Sequence, residues 1–294
     1  MVTMTEILLR YALKGDIDTP LMNKLKKGHI ATVESQADST YIGDMQGNVT
    51  AIKTESAVSC FQGGRSSPVC CILVTNDKLY TGSLSGRVTA WSISSGLCDF
   101  TFDIDQPIGS LAILSNESFI VFTRLGECFS FNNSTLQTSK TISDSMILSS
   151  TYSTTEKTCF IGFSDGTLSR LNSEELVITS TWTPHKDSVT CLKIPDKFPG
   201  NLLSLSDDGS LCLSSTRFNC TLLTIISRGV CLPSRFITLI NDDTISLPVR
   251  RSNTPITASL AETHSRIREC RLMAAIDFAS RQPVKAKKPK HKKK

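Results

Sequence analysis

The 294 residues are 39% hydrophobic, 20% charged and only 6% aromatic, the composition of a globular chain able to bury a real core. The formal charge of +5 belongs to one end: Arg281 and seven lysines of the last ten positions leave 24 basic against 27 acidic residues in 1–280, a balance of −3. A near-neutral body excludes a domain coated with nucleic-acid-binding charge, and no apolar run is long enough to span a bilayer.

Residues 1–27 form an N-terminal segment whose apolar stretch at 6–13 reads as a strand able to pair into the last unit of a closed array, or as a short helix. No secretory signal is expected there. From residue 28 onward one unit recurs: a short apolar strand, a tight turn closing on Gly, and a second alternating strand. The copies lie at 41–49, 79–88, 120–128, 160–168 and 202–211. Their turn glycines, Gly47, Gly86, Gly126, Gly166 and Gly209, are spaced 39, 40, 40 and 43 residues apart.

The columns around each glycine fit a hairpin. Two residues after it stand Val49, Val88, Cys128, Leu168 and Leu211; five after it stand Ile52, Trp91, Phe131, Leu171 and, as the exception, Ser214. Four before it stand Gly43, Gly82 and Gly162, with Phe122 and Leu205 in the other copies. Glycine supplies the positive φ a tight hairpin requires, and the alternation sends one set of side chains into the space between sheets. A further strand precedes each hairpin (69–74, 108–114, 146–150, 189–194), and another follows some of them (98–102, 176–181). Four strands in about 40 residues is one propeller blade.

These turns resemble the WD-repeat signature, as in Gly162-Phe163-Ser164-Asp165-Gly166 and Leu205-Ser206-Asp207-Asp208-Gly209. Pro184-His185 and Gly28-His29 resemble the Gly-His step of that family. No copy has the Trp-Asp dipeptide; Trp91-Ser92 comes nearest. In the family a His, a turn Asp, a Ser or Thr and a Trp share one hydrogen-bonded set. The resemblance implies that set for His185, Asp208 and Ser204, with Ser214 where the Trp would stand. The second copy offers Thr81 and Trp91 without the His. The resemblance covers roughly residues 28–250.

A sixth copy at 236–245 lacks the glycine, has Asn241, Asp242 and Asp243 in its turn, and is expected to be short or at an edge because Pro248 follows. The expectation is therefore an all-β, WD40-type propeller over 28–250 with six or seven blades. After it, 251–282 reads as a segment carrying an amphipathic helix over 258–281. Its signs are a capping-box pattern at Ser259-Leu260-Ala261-Glu262 and apolar Leu260, Ile267 and Ala274. That helix either packs back on its own propeller or binds a partner. Residues 283–294 are expected to form a disordered Lys-rich tail, because a block of like charge with Pro283 and Pro289 cannot fold alone. Its lysines are Lys285, Lys287, Lys288, Lys290, Lys292, Lys293 and Lys294, which suit a nuclear-import signal, a sequence-blind RNA contact, or a solvated end.

Eleven cysteines, an odd number with no C-x-x-C pair, and the position of Cys128, Cys191 and Cys212 inside apolar runs point to reduced thiols and a reducing compartment. The four histidines form neither H-E-x-x-H nor a zinc spacing with cysteine. There is no P-loop, and the Gly82–Gly86 stretch has Leu84 where a nucleophile elbow needs Ser. Asp207-Asp208 and Asp242-Asp243 read as turn acceptors rather than catalytic pairs, and His185 as a buried blade residue rather than a general base.

No enzyme activity, cofactor, metal, membrane partner or small-molecule substrate is expected. The function so read is a protein-interaction scaffold in a multi-subunit nuclear or nucleolar assembly, with ribosomal RNA maturation suggested by analogy of layout. The alternative is a cytoplasmic adaptor in signalling, trafficking or ubiquitin ligation.

Overall fold

A computed structural model of the chain describes residues 30–36, 39–53, 57–62, 67–115, 117–132, 134–195, 198–218, 220–226, 238–240, 244–247 and 256–259. Among them lie five four-stranded antiparallel sheets, each with its strands in chain order. Blade 1 is β1 (Ile30–Gln36), β2 (Ser39–Asp44), β3 (Asn48–Lys53) and β4 (Ala57–Gln62). Blade 2 is β5 (Val69–Val74), β6 (Lys78–Ser83), β7 (Arg87–Ser92) and β8 (Cys98–Asp103). Blade 3 is β9 (Ile108–Ile113), β10 (Ser118–Thr123), β11 (Glu127–Asn132) and β12 (Thr135–Thr141). Blade 4 is β13 (Ile147–Ser153), β14 (Thr158–Phe163), β15 (Leu168–Asn172) and β16 (Val177–Trp182). Blade 5 is β17 (Val189–Lys193), β18 (Asn201–Ser206), β19 (Ser210–Ser215) and β20 (Cys220–Ile226).

The expected six or seven blades are thus corrected to five complete ones among the described residues. The sixth hairpin exists but is short: β21 (Thr238–Ile240) and β22 (Thr244–Leu247) pair with β23 (Ile256–Ser259) in a three-stranded sheet. That third strand occupies part of the segment expected to lead into a helix. Ser259, placed as a helix cap by its sequence pattern, instead pairs with Thr244 at the end of β23. A Ser-x-x-Glu pattern caps a helix only when the backbone after it turns, and Ile256-Thr257-Ala258 has the β-branched character that favours a strand. The rest of the expected helix, the 6–13 strand and the Lys-rich tail lie outside the described residues.

The repeat carries into packing. The first strand of each blade lies against the first strand of the next, from β1 through β5, β9 and β13 to β17. These inner strands follow one another around an axis, and Lys193 of β17 reaches Glu34 of β1 at 3.0 Å. Apolar side chains fill the spaces between successive sheets. Val49, Phe61, Val69, Ile72, Leu79 and Trp91 pack between blades 1 and 2. Val88, Ile108, Leu111, Phe119, Val121 and Phe131 do so between blades 2 and 3. Ile120, Phe122, Cys128, Ile147, Ile161 and Leu171 fill the next gap, and Phe160, Leu168, Val189, Leu192 and Leu202 the one after. The columns two and five residues after each turn glycine are buried in every blade, Ser214 included. Full burial of one such aliphatic side chain contributes roughly 1.5–3 kcal/mol.

Two devices recur that fix the blade-to-blade fit. Each inner strand carries a register shift near its start, between Ile30 and Thr32, Val69 and Cys71, Ile147 and Ser149, and Val189 and Cys191, with the matching shift in blade 3 opposite Phe122 and Thr123. Such bulges bend the strand and raise its twist. The glycine four residues before the turn provides the second device. A Cβ on Gly82 would stand 2.6 Å from Ile108 Cγ2, and one on Gly43 or Gly162 would meet Val69 or Val189 at 2.7–2.9 Å. Glycine here is required by the close approach of the next blade's first β-branched residue.

Candidate functional site

Antiparallel pairing places two kinds of connection at one end of the blades: the Gly-centred turns between second and third strands, and the loops leading into the next blade. Backbone bonds hold the two together. Leu84, Arg124, Ser164 and Asp207 donate their N–H groups to the carbonyls of Pro68, Pro107, Met146 and Ser188, which directly precede the inner strands. The Gly166 turn is so tight against the following loop that a Cβ would meet the His185 carbonyl oxygen at 2.4 Å, and Gly166 has φ +86°, a region L-residues rarely adopt. The turns of Gly47, Gly86, Gly126 and Gly209 have positive φ as well, and each glycine N–H closes its turn on the carbonyl three residues earlier. In blades 2 to 5 the turns and the loops beside them, the turn face, are thus tied together by backbone bonds.

His185 sits beneath that face, 3% exposed. Its Nε2 lies 2.7 Å from Ser204 Oγ and its Nδ1 2.7 Å from Ser210 Oγ. Asp208 is not in direct contact with the ring: Oδ1 is 3.8 Å from Nδ1 and accepts the Ser210 hydroxyl at 2.5 Å and the Ser210 N–H at 2.8 Å. Its Oδ2 accepts the Lys186 N–H. Ser210 is thus a fourth member that the sequence pattern did not single out, since a Ser just after a turn glycine reads as ordinary turn chemistry. Ser214 occupies the expected Trp place and accepts the Trp182 Nε1–H of the preceding blade at 3.4 Å. Thr81 and Trp91 of blade 2 are both buried.

Burial lowers the His185 pKa against the opposing pull of Asp208, so the ring is neutral and hydrogen-bonded. Burial pushes the Asp208 carboxyl up, but bonds from Lys186 and Ser210 outweigh it and hold the group below its ordinary range. A neutral imidazole locked between two hydroxyls, with no accessible face, joins strands and offers no proton to a substrate.

What the turn face exposes is apolar and acidic. Met45 in the turn of blade 1, Leu125 in that of blade 3 and Met146 at the start of blade 4 are 45%, 59% and 47% exposed, and Leu84 of blade 2 is half-buried between them in chain order. Asp105, Asp144, Asp165, Asp187 and Asp207 are exposed on the same turns and loops. At the opposite face, an open polar cleft of about 510 Å³ is lined by Glu156, Lys157, Thr158, Arg170, Asn172 and Ser180 among others. There Arg170 lies 3.2 Å from Glu156 Oε2, and Glu156 accepts the Thr216 hydroxyl. In that cleft an acid and a base are thus paired with each other. Among the described residues no group of three His, Cys, Asp or Glu side chains converges as a metal site, and no helix is long and apolar enough to cross a membrane.

No protein-family model matches the sequence, and no curated protein matches it. Solved structures do match in shape. The WD40 β-propeller domain of Doa1 superposes with a TM-score of 0.65 at 12% identity, over 78% of this chain and 76% of that one. A chain in the crystal structure of the mitotic checkpoint complex superposes with a TM-score of 0.57 at 14% identity, over 64% of this chain. This chain spans 60% of that chain's length. At such identities the likeness is one of fold. With five complete blades among the described residues and inner strands in ring order, the chain has the fold of a WD40-type β-propeller.

Proposed function

We propose that the chain is a non-enzymatic protein-interaction scaffold whose turn face receives its partners. The observation that carries this reading is the exposure of Met45, Leu125 and Met146 at the turn end of blades 1, 3 and 4. Large apolar side chains exposed on one end of a fold suit an interface with a partner, and unbranched Met adapts to varied contacts. The buried His185 set and the neutralised Glu156–Arg170 pair support a structural rather than a chemical use of the polar residues.

The assembly it serves, on this reading, is a nuclear or nucleolar complex of several proteins, with ribosomal RNA maturation the process favoured. The support is the Lys-rich stretch Lys285–Lys294 beside a body of charge −3, which suits import and, through phosphate contact, RNA of any sequence. The similar fold in a chain of the mitotic checkpoint complex is consistent with work inside a multi-protein assembly. A cytoplasmic adaptor is the competing reading. Tagged full-length chain and a form lacking residues 283–294 separate them by microscopy and by affinity purification with and without RNase. Nuclear signal lost on deletion, with pre-ribosomal proteins co-purifying, is the expected result. Cytoplasmic signal unaltered by the deletion overturns the nuclear assignment.

A further inference from the structure

The position two residues before each turn glycine is filled differently in every blade, by Met45, Leu84, Arg124, Ser164 and Asp207. In blade 2 it turns inward, and Leu84 packs against the core between blades 2 and 3. Arg124 holds the same place in blade 3, its N–H bonded to the Pro107 carbonyl as that of Leu84 is to Pro68. Buried Thr123 fixes this turn, its Oγ1 accepting the Leu125 and Glu127 N–H groups at 3.3 and 3.2 Å. The half-buried Arg124 side chain runs back over β9, with Cγ 3.6 Å from where a Cβ on Gly109 would stand, and its charge acts on Cys71 of β5. Its Nε is buried with no hydrogen-bond partner, and no acid among the described residues pairs with its guanidinium. A guanidinium keeps its proton and offers five N–H donors. Half-buried without a counter-ion, it carries a desolvation cost that nothing in the fold recovers. Leu84 shows that an apolar side chain can fill the same place.

We infer that Arg124 receives a single carboxylate or phosphate group carried by a partner polypeptide, whose adjoining apolar residue lies on Leu125 and Met146. The planar guanidinium suits two oxygens at once, and such charge-assisted pairs are among the strong hydrogen bonds. Leu125 and Met146 are 59% and 47% exposed and come from segments in close contact. The turn lies so tightly on the loop into blade 4 that a Cβ on Gly126 would collide with the Ser143 carbonyl oxygen and stand 3.3 Å from that of Ser145. A cation and two apolar side chains therefore meet at the junction of blades 3 and 4. The acids beside them limit what fits. Asp144 is exposed on that loop, and Asp165 accepts the Ser145 hydroxyl at 2.9 Å. Carboxylates so close repel a run of phosphates, so one isolated anion beside an apolar residue is accommodated and a nucleic acid is not. The inference rests on the turn face being the partner surface, and it names the chemistry of what lands there.

Phenylglyoxal labelling of the full-length chain, mapped by mass spectrometry, tests this at the one side chain because the reagent modifies free guanidinium groups. The probes are blocked tripeptides at millimolar concentration: Leu-Asp-Leu, Leu-phosphoserine-Leu and Leu-Asn-Leu. Arg124 should be modified in the free chain and protected at least fivefold by the first or the second peptide, but not by the third. Whichever of the two protects more identifies the source of the anion. Equal protection by Leu-Asn-Leu, no protection by any peptide, or stronger protection by oligouridine RNA at the same phosphate concentration overturns the inference. Thermal melts add a second check. R124L should melt no lower than the natural chain, since it removes an unpaired charge and restores the side chain of blade 2. A melt several degrees lower would make Arg124 structural and overturn the inference. Partner capture separates this inference from the reading beneath it. If a variant with Met45, Leu125 and Met146 replaced by Ser loses its partners while R124L keeps them in full, the turn face stands and the role of Arg124 falls. If Arg124 is protected but the triple variant keeps its partners, the anion site stands and the turn face is not the partner surface.

Discussion

Lys193 Nζ donates to Glu34 Oε1 over 3.0 Å, joining the inner strand of blade 5 to that of blade 1 across 159 residues of sequence. The chain has to travel round four intervening inter-blade gaps for these two side chains to meet. The pair brings the inner strands of blades 5 and 1 within side-chain reach but is a weak contact, because about a third of each side chain is exposed to solvent. Pairs of that kind contribute roughly 0.2–1 kcal/mol and weaken with salt. Glu34→Gln should therefore lower unfolding stability by less than about 1 kcal/mol in urea titrations at 50 mM NaCl, and by less still at 500 mM. A loss above 2 kcal/mol at either salt would contradict a weak, solvent-exposed pair.

His185 carries a larger share and gives a pH signature. Its folded pKa is lowered by burial from the ordinary 6.5, so between the two values the unfolded state binds more protons than the folded state. Stability must then fall as pH drops below about 6.5, with a slope of at most about 1.4 kcal/mol per pH unit from this one group. Asp208 works in a lower window: its folded pKa is below the ordinary 3.8, so its contribution persists until pH falls past that value. Urea unfolding at pH 7.5 and 5.5 should show a smaller pH loss for His185→Gln than for the natural chain. An equal loss in both would contradict the neutral, buried ring.

Removing the ring leaves Ser204 and Ser210 without their partner and opens a cavity. His185→Ala should cost about 2–4 kcal/mol, from two lost hydrogen bonds and lost packing. Ser210→Ala should cost about 1–2 kcal/mol, since it breaks both the bond to the ring and that to Asp208. Thermal melts of the two variants check the order, and a neutral Ser210→Ala would dismiss the bridging role.

The close approach of blades 2 and 3 predicts a coupled pair. Gly82→Ala puts a methyl 2.6 Å from Ile108 Cγ2 and should destabilise by about 1–3 kcal/mol through overpacking. In the Ile108→Ala background that cost should shrink, a coupling of at least about 0.5 kcal/mol in a double-mutant cycle. Gly200 provides the contrast. A Cβ there meets nothing within 4 Å, so Gly200→Ala should change stability by less than about 0.5 kcal/mol.

Thiol chemistry separates surface from interior. Burial pushes Cys128 up to about 11 and Cys159 up to about 12, and both are fully buried, whereas Cys98 is exposed. Brief alkylation of the native chain at pH 7.5 should label Cys98 and leave Cys128 and Cys159 unmodified until denaturant is added. Peptide mapping that finds Cys159 labelled in native protein would contradict the packing between blades 3 and 4.

The five blades were legible because a hairpin leaves local marks. Gly47 to Gly209 need positive φ, and the columns that follow need to be apolar, so the pattern is written within ten residues. The sixth unit was harder. With Asn241, Asp242 and Asp243 in place of glycine it left no comparable mark, and β21 and β22 have only three and four residues. In sequence β23 resembles the approach to a helix, because Ser259 and Glu262 mimic a cap. Contacts made across the ring or between blades left no local sign at all: Lys193 with Glu34, Trp182 with Ser214, Gly82 with Ile108. The His185 set was half legible, since the family pattern names Ser204 and Asp208 but the bridging hydroxyl of Ser210 is visible only once β19 lies beside the ring.

The central claim, a scaffold that binds through its turn face, is tested most directly by partner retention on paired surface variants of the full-length chain. One variant replaces Met45, Leu125 and Met146 with Ser; the other replaces Leu97 and Phe218, exposed at the opposite face, in the same way. Both should melt within a few degrees of the parent. Quantitative affinity purification is expected to show at least a tenfold loss of the parent's partners on the first variant and full retention on the second. Retention on the first variant, or loss on the second, would contradict the account.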